Sequence, residues 1–214
     1  MTKTACIFGS APIADYEALK PCLPQGALVI CADGGLRHAL RLGLRPDVVI
    51  GDSDSREATV PEGTVFYAYP TDKDFTDTNL CLDYALEQGC TEILLLGGIG
   101  GRIDHEFSHF CLMQYALRRG AVLKMIDAAN EVWMADKGFT LPAKGKKYVS
   151  FFPYGGPVEG FTIKGLKYEA EDMTLDCGKV QASSNEFAGA ASAEVSFRSG
   201  TLLVMRCRDA AAGQ

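Results

Sequence analysis

Ile93-Leu94-Leu95-Leu96-Gly97-Gly98-Ile99-Gly100-Gly101-Arg102-Ile103-Asp104 decides the fold class. A short apolar run ends in a glycine loop, and a helical pattern follows at once, over 104–119. A strand that feeds a helix in this way is half of a βαβ unit, the element of parallel sheets. The same grammar runs through the first part of the chain. Strand-like runs lie at 5–8, 27–31, 48–50, 65–68, 93–96 and 122–126, with helical stretches at 34–43, 76–88 and 104–119. In 76–88 the apolar stripe is Cys81, Leu82, Ala85 and Leu86; in 104–119 it is Phe107, Phe110, Cys111 and Leu117, interrupted by Gln114. Gly89 and Gly120 stand where helices end, since glycine accepts the left-handed conformation of a C-terminal cap.

After residue 126 the grammar changes. Short β-like runs recur at 131–135, 147–152, 158–163, 173–175, 180–182, 193–197 and 201–207, separated by turns such as Tyr154-Gly155-Gly156-Pro157. No long amphipathic helix interrupts them. The expectation is an N-terminal, mainly parallel α/β sheet domain over 1–126 and a C-terminal antiparallel β-sandwich over 127–214.

The chain has 214 residues, 47% of them hydrophobic, and a formal net charge of −6. An acidic balance argues against a nucleic-acid or anionic-membrane binder, which would want a basic face. No stretch approaches the roughly 20 apolar residues of a membrane span, and Asp15 and Glu17 soon follow a briefly apolar start, unlike a signal peptide. The eight cysteines are scattered without a Cys-x-x-Cys pair, which reads as reduced thiols in the cytoplasm rather than a zinc site.

The acids are uneven. Residues 1–126 hold 16 acids against 11 bases, while 127–214 hold 11 against 10. In open α/β sheets, ligands sit beyond the carboxyl ends of the strands. There the sequence places Asp33-Gly34-Gly35, then Gly51-Asp52-Ser53-Asp54, then Thr71-Asp72-Lys73-Asp74-Phe75-Thr76-Asp77, then Gly97 to Asp104. Asp33-Gly34-Gly35 also reads as a plain turn, and Asp104 as a helix N-cap. Crowded carboxylates need a cation, and Mg2+ is a hard ion held by carboxylates together with substrate phosphates. Gly97, Gly98 and Gly101 would let backbone amides approach phosphate, and Arg102 could grip its oxygens in a fork. Lys73 is either a solvated lysine or a phosphate contact. His38, His105 and His109 form no convincing triad or metal set and read as surface or packing residues.

Taken in order, ADGG at 32–35, RPDVVIGDSDS at 45–55, DKDFTDTNLCL at 72–82 and LGGIGGRIDH at 96–105 resemble the thiamine pyrophosphokinase (thiamin diphosphokinase) family. Gly165-Leu166-Lys167-Tyr168 and Ala182-Ser183-Ser184-Asn185 extend the resemblance into the second domain. It implies transfer of the pyrophosphoryl group of Mg-ATP to the hydroxyl of thiamine, giving thiamine diphosphate and AMP. It also implies a homodimer with thiamine near the subunit interface, the second domain serving thiamine binding and dimerisation. On this resemblance Asp52, Asp54, Asp77 and Asp104 are catalytic, and with Asp72 and Asp74 they form the metal set. Asp33, Gly34, Lys73, Thr76, Gly97, Gly98, Gly101 and Arg102 are the ATP set. Ser183, Ser184, Asn185 and Phe187 are the thiamine-side set. The family often has Ser-Thr-Ser-Asn, so Ala182 lacks one hydroxyl contact.

Two other readings compete. Val48-Val49-Ile50-Gly51-Asp52-Ser53-Asp54-Ser55 imitates the strand-then-Asp-x-Asp signature of haloacid-dehalogenase-type phosphatases, with Asp52 as nucleophile. A non-catalytic nucleotide- or metal-binding protein would also explain the loops, but leaves the second domain without a task.

Overall fold

The computed structural model describes residues 2–52, 59–69, 74–143 and 145–209. It divides into two compact units, Met1–Ala128 and Ala129–Gln214.

The first unit is built on six parallel strands: β1 Lys3–Phe8, β2 Leu28–Ala32, β3 Val48–Gly51, β4 Val65–Ala68, β5 Cys90–Leu96 and β6 Val122–Ile126. Their spatial order is β6-β5-β1-β2-β3-β4. The helices are α1 Leu36–Arg41, α2 Asp77–Glu87 and α3 Ile103–Arg118. Cys6, Phe8, Val29, Cys31 and Val49 cluster with Leu19 and with Leu36 and Ala39 of α1. Side chains alternate along a strand, so Ile7, Ile30 and Ile50, all buried, face the opposite side. There α2 packs across β1, β2, β3 and β5. Both faces are covered, which is why these strands read as continuous apolar runs rather than alternating ones.

The order reverses at β1. The chain leaves β1 toward β2 on one side, and β5 returns to pair with β1 on the other. This is a topological switch point, where the loops from β1 and β5 diverge and open a crevice.

The second unit holds β7 Asn130–Ala135, β8 Phe139–Pro142, β9 Tyr148–Pro153, β10 Val158–Lys164, β11 Ala170–Leu175, β12 Ala182–Glu186, β13 Ser192–Ser196 and β14 Leu202–Cys207. One antiparallel set runs β12-β9-β14-β7. The other runs β11-β10-β13-β8. Phe151 of β9 meets Phe161 of β10 at 5.4 Å between ring centroids, and Trp133 of β7 meets Phe139 of β8 at 6.1 Å. Each pair takes one ring from each set, so the two sets face each other over a shared apolar layer, a sandwich.

Several details differ from the sequence reading. α1 is shorter than 34–43, because Asp33–Gly35 forms a 3-10 turn first. A Cβ on Gly35 would lie 1.9 Å from the Phe8 carbonyl oxygen, so this turn is pressed onto β1 and needs glycine there. In α3 the expected stripe is wrong. Phe107 is 62% exposed and Cys111 is exposed, while His109, Leu112, Met113 and Ala116 are buried. Those four keep the i, i+3, i+4, i+7 spacing; the histidine hides the stripe. Asp104 is not an N-cap: Arg102 takes that position and Asp104 lies in the first turn. β12 covers 182–186 rather than 180–182, and β8 has no counterpart in the sequence reading. Both are short segments in which most side chains are not buried, so hydrophobic patterning could not register them.

Candidate functional site

Five aspartates of the expected set lie within the described residues: Asp33, Asp52, Asp74, Asp77 and Asp104. Asp54, Asp72 and Lys73 lie outside them. Asp33 follows β2 directly and Asp52 follows β3 directly. Asp33 has φ +46, a left-handed value for a residue that has a Cβ. Its backbone and carboxylate bear on the end of β3: a Cβ on Gly51 would come within 3.0 Å of the Asp33 Cα and 3.2 Å of its Oδ1. The 3-10 turn agrees with the turn reading of Asp33-Gly34-Gly35, and it carries the Asp33 carboxylate to the end of β3, where the Asp52 loop starts.

Thr76 caps α2, its Oγ1 accepting the amide of Asn79 at 3.2 Å, and Asp77 begins that helix. Among the described residues no group of three or more His, Cys, Asp or Glu side chains is close enough to hold a metal. The side-chain donors that follow β2 and β3, Asp33 and Asp52, are nonetheless oxygen only, the chemistry that suits magnesium.

The crevice at the switch point is lined by residues of two loops and two helices. Gly9 donates its amide to the Leu96 carbonyl at 2.7 Å, and Ala11 donates to the Gly97 carbonyl at 3.0 Å. A Cβ on Gly97, whose φ is +66, would lie 2.5 Å from the Gly9 oxygen. The two loops touch backbone to backbone, leaving a cleft of about 240 Å3 lined by Gly9, Ser10, Gly98, Gly101, Arg102 and His109 among others. The loop after β1 is absent from the sequence-based site because no aspartate stands directly after the strand, its first acid being Asp15; the glycine at its first position is the available signal.

Charge within this cleft is paired internally. Arg102 donates to both carboxylate oxygens of Asp104, at 3.1 and 2.6 Å. That guanidinium holds the Asp104 carboxyl below the usual carboxylate range. Glu106 Oε1 accepts the amides of Gly100 and Gly101 at 2.8 and 2.9 Å. So two amides of the glycine loop are taken by a carboxylate of the same chain, a partner the sequence reading does not assign. His109 is buried, with Nδ1 2.9 Å from the Gly98 carbonyl oxygen. Burial lowers its pKa, and the Gly98 contact opposes this. His38 is also buried and lowered, by burial first and then by Arg37. Its Nδ1 pairs with the Tyr16 hydroxyl at 2.6 Å.

In the second unit the expected thiamine-side residues divide. Asn185 is 4% exposed and ties two segments together: Oδ1 accepts the Tyr168 amide at 3.0 Å and Nδ2 donates to the Tyr168 carbonyl at 2.7 Å. Ser183 and Asn185 line a cleft with Tyr168, Glu169 and Met173. Ser184 is exposed and has φ +56. Phe187 is half-buried and lines a different cleft, with Lys146 and Lys147. Asp33 and Ser184 are two of three non-glycine residues in the left-handed region among those described. Such strain concentrates at functional sites.

The model of the thiamin pyrophosphokinase catalytic domain matches residues 19–125, and that of the thiamin pyrophosphokinase vitamin B1 binding domain matches 139–202. The chain belongs to the thiamin pyrophosphokinase family. The Bacillus subtilis (strain 168) thiamine pyrophosphokinase is 30% identical, over 97% of this chain and 100% of its own. A crystal structure of thiamine pyrophosphokinase from Bacillus subtilis superposes with a TM-score of 0.89 at 25% identity, covering 97% of this chain and 100% of the other. One of thiamin pyrophosphokinase from Geobacillus thermodenitrificans gives 0.87 at 27%, covering 97% and 99%. The family is one of enzymes, and its catalytic-domain match spans the glycine- and aspartate-bearing loops from Asp33 to Asp104. Neither the phosphatase nor the non-catalytic reading finds support in these matches. No helix among the described residues is long and apolar enough to cross a membrane.

Proposed function

We propose that this chain transfers the pyrophosphoryl group of Mg-ATP to the hydroxyl of thiamine, forming thiamine diphosphate and AMP. The observation that carries the reading is the switch-point crevice, with its backbone-to-backbone glycine contact and flanking aspartates, in a chain that matches both family domains in order. In balanced form, the thiamine hydroxyl oxygen bonds to the β-phosphorus of ATP. The bond from that phosphorus to the α,β-bridging oxygen breaks, and AMP leaves with the electron pair. The hydroxyl proton goes to a carboxylate, for which Asp77 and Asp74 are the candidates.

Asp52, Asp54, Asp72, Asp74, Asp77 and Asp104 are the candidate magnesium ligands, with Asp33 beside Asp52. Bound magnesium supplies neutralisation of charge on the phosphates. The chain's own contribution is positioning, which suits a reaction that asks for little covalent chemistry from the protein. Gly9, Gly97, Gly98 and Gly101 let backbone approach the polyphosphate. Arg102, once it exchanges Asp104 for phosphate, has the planar fork that matches two oxygens. Lys73, Gly34 and Thr76 complete the ATP set. Ser183, Ser184, Asn185 and Phe187 form the thiamine side, and the acidic first unit attracts thiamine's cationic ring. The working form is a cytoplasmic homodimer, on the same family reasoning.

The test is product analysis after incubation with thiamine, ATP and magnesium. Thiamine diphosphate with AMP is expected, and Asp52→Asn should abolish it while the circular dichroism spectrum is unchanged. ADP in place of AMP, or no turnover, overturns the reading.

A further inference from the structure

We propose that the second unit carries a binding site for a phosphate-class oxyanion, formed by Arg206, Lys146 and Lys147 beside Phe187. Arg206, on β14, is 4% exposed, and its Nε and Nη2 have no hydrogen-bond partner. The carboxylate within salt-bridge range is Glu131, whose Oε2 is 3.9 Å from Nε, too far for a hydrogen bond. Buried guanidinium donors are ordinarily satisfied, and an unpaired one costs the desolvation of the group without return. Burial accordingly lowers the Arg206 pKa. Nothing in the proposed transfer reaction uses this residue.

The unpaired Nη2 lies behind Gly145, a residue of a cleft wall. It is the guanidinium atom nearest Gly145: a Cβ placed there would lie 3.2 Å from Nη2, against 4.0 Å from Nε. Gly145 lines a cleft of about 290 Å3 with Ala143, Lys146, Lys147, Glu186 and Phe187. Lys147 is exposed and lies over the Tyr148 ring at 4.6 Å from its centroid. Glu186, the carboxylate of the cleft wall, stands 3.9 Å from both Lys147 and Lys167. Three cations therefore serve this end of the unit while Glu186 is shared with a fourth. The cleft has room for one tetrahedral group or a diphosphate. The planar guanidinium fork with two ammonium groups is the donor set that oxyanions of phosphorus take. The fold keeps an unsatisfied arginine because an anion entering past Gly145 supplies the missing acceptors.

The experiment uses the full chain without magnesium or ATP, titrated with inorganic diphosphate and followed by calorimetry and backbone amide NMR. Saturable binding is expected, with shifts at Gly145, Lys147 and Phe187. The Lys146→Ala/Lys147→Ala variant, altered at the surface, should weaken it at least tenfold, and Arg206→Gln should abolish it. If Arg206→Gln does not fold, the lysine variant decides. Parallel titrations with inorganic phosphate and thiamine diphosphate separate the sources. Binding of the inorganic ions assigns a free anion, and binding of thiamine diphosphate alone assigns the tail of an organic diphosphate. No saturable binding of any of the three ligands, shifts confined to 97–102, equal affinity in the lysine variant, or an equal response to chloride at matched ionic strength overturns the proposal. Because neither magnesium nor turnover is involved, its failure is distinct from failure of the transfer reading.

Discussion

Arg102 grips Asp104 through one edge of its guanidinium, Nε to Oδ1 at 3.1 Å and Nη2 to Oδ2 at 2.6 Å, at the entrance of α3. Both side chains are well exposed, 74% and 60%. Exposed pairs contribute little to stability, because water already solvates each charge. Arg102→Ala should leave the melting temperature unchanged within error. On the proposed function, the same change should lower kcat/KM for ATP at least tenfold, because the phosphate fork is gone. A large fall in Tm with activity retained would show a structural pair instead.

The Gly9–Gly97 contact makes a sharper test. At Gly97 a Cβ would sit 2.5 Å from the Gly9 oxygen, on backbone that has positive φ. Gly120 also has positive φ, but a Cβ there would meet nothing within 4 Å. Gly120→Ala should therefore cost about 1 kcal/mol, the conformational penalty alone. Gly97→Ala adds a backbone clash and should cost about 3 kcal/mol or more. Urea denaturation of the two variants checks the ranking. Equal losses would mean that the loops do not touch.

The first unit is legible in the sequence because its signals are local. Apolar runs such as Leu94-Leu95-Leu96 followed by glycine need no knowledge of the rest of the chain, and both-face burial makes such strands conspicuous. Strand order is not legible, so neither is the switch point, and the loop after Phe8 is marked only by the glycine that opens it although it forms half of the crevice. Glu106 is likewise invisible. A glutamate in a helix's first turn is ordinary, and only the fold shows its oxygen on the Gly100 and Gly101 amides. The strand carrying Ser183, Ser184 and Asn185 is polar and largely exposed, so only the resemblance marks it.

His109 and His38 both have pKa values lowered by burial from the ordinary 6.5. A base whose folded pKa is depressed binds fewer protons folded than unfolded. Stability is then flat above about 6.5 and declines as pH falls below it, until the folded values are reached. The urea midpoint should drop between pH 7.5 and 5.5. His109→Gln, which can still donate to the Gly98 carbonyl, should flatten that drop. A slope unchanged in His109→Gln and in His38→Gln would show that other groups carry it.

Thiol accessibility checks the packing of the first sheet independently of activity. None of the eight cysteines is joined in a disulfide; Cys22, Cys111 and Cys177 are exposed, while Cys6, Cys31, Cys81 and Cys90 are buried. Burial pushes the Cys6 thiol up to about 12 and raises Cys31 and Cys90 as well, so the reactive thiolate is suppressed along with access. A thiol reagent at pH 8 should modify the three exposed sites quickly. Cys6 on β1 and Cys31 on β2 should react only at the rate of global unfolding, because β1 and β2 pair side by side in the centre of the sheet, where strands open last. Peptide mapping after partial labelling reads this directly. Early labelling of Cys6 or Cys31 in the folded protein would contradict the paired, doubly covered sheet on which the switch-point crevice depends.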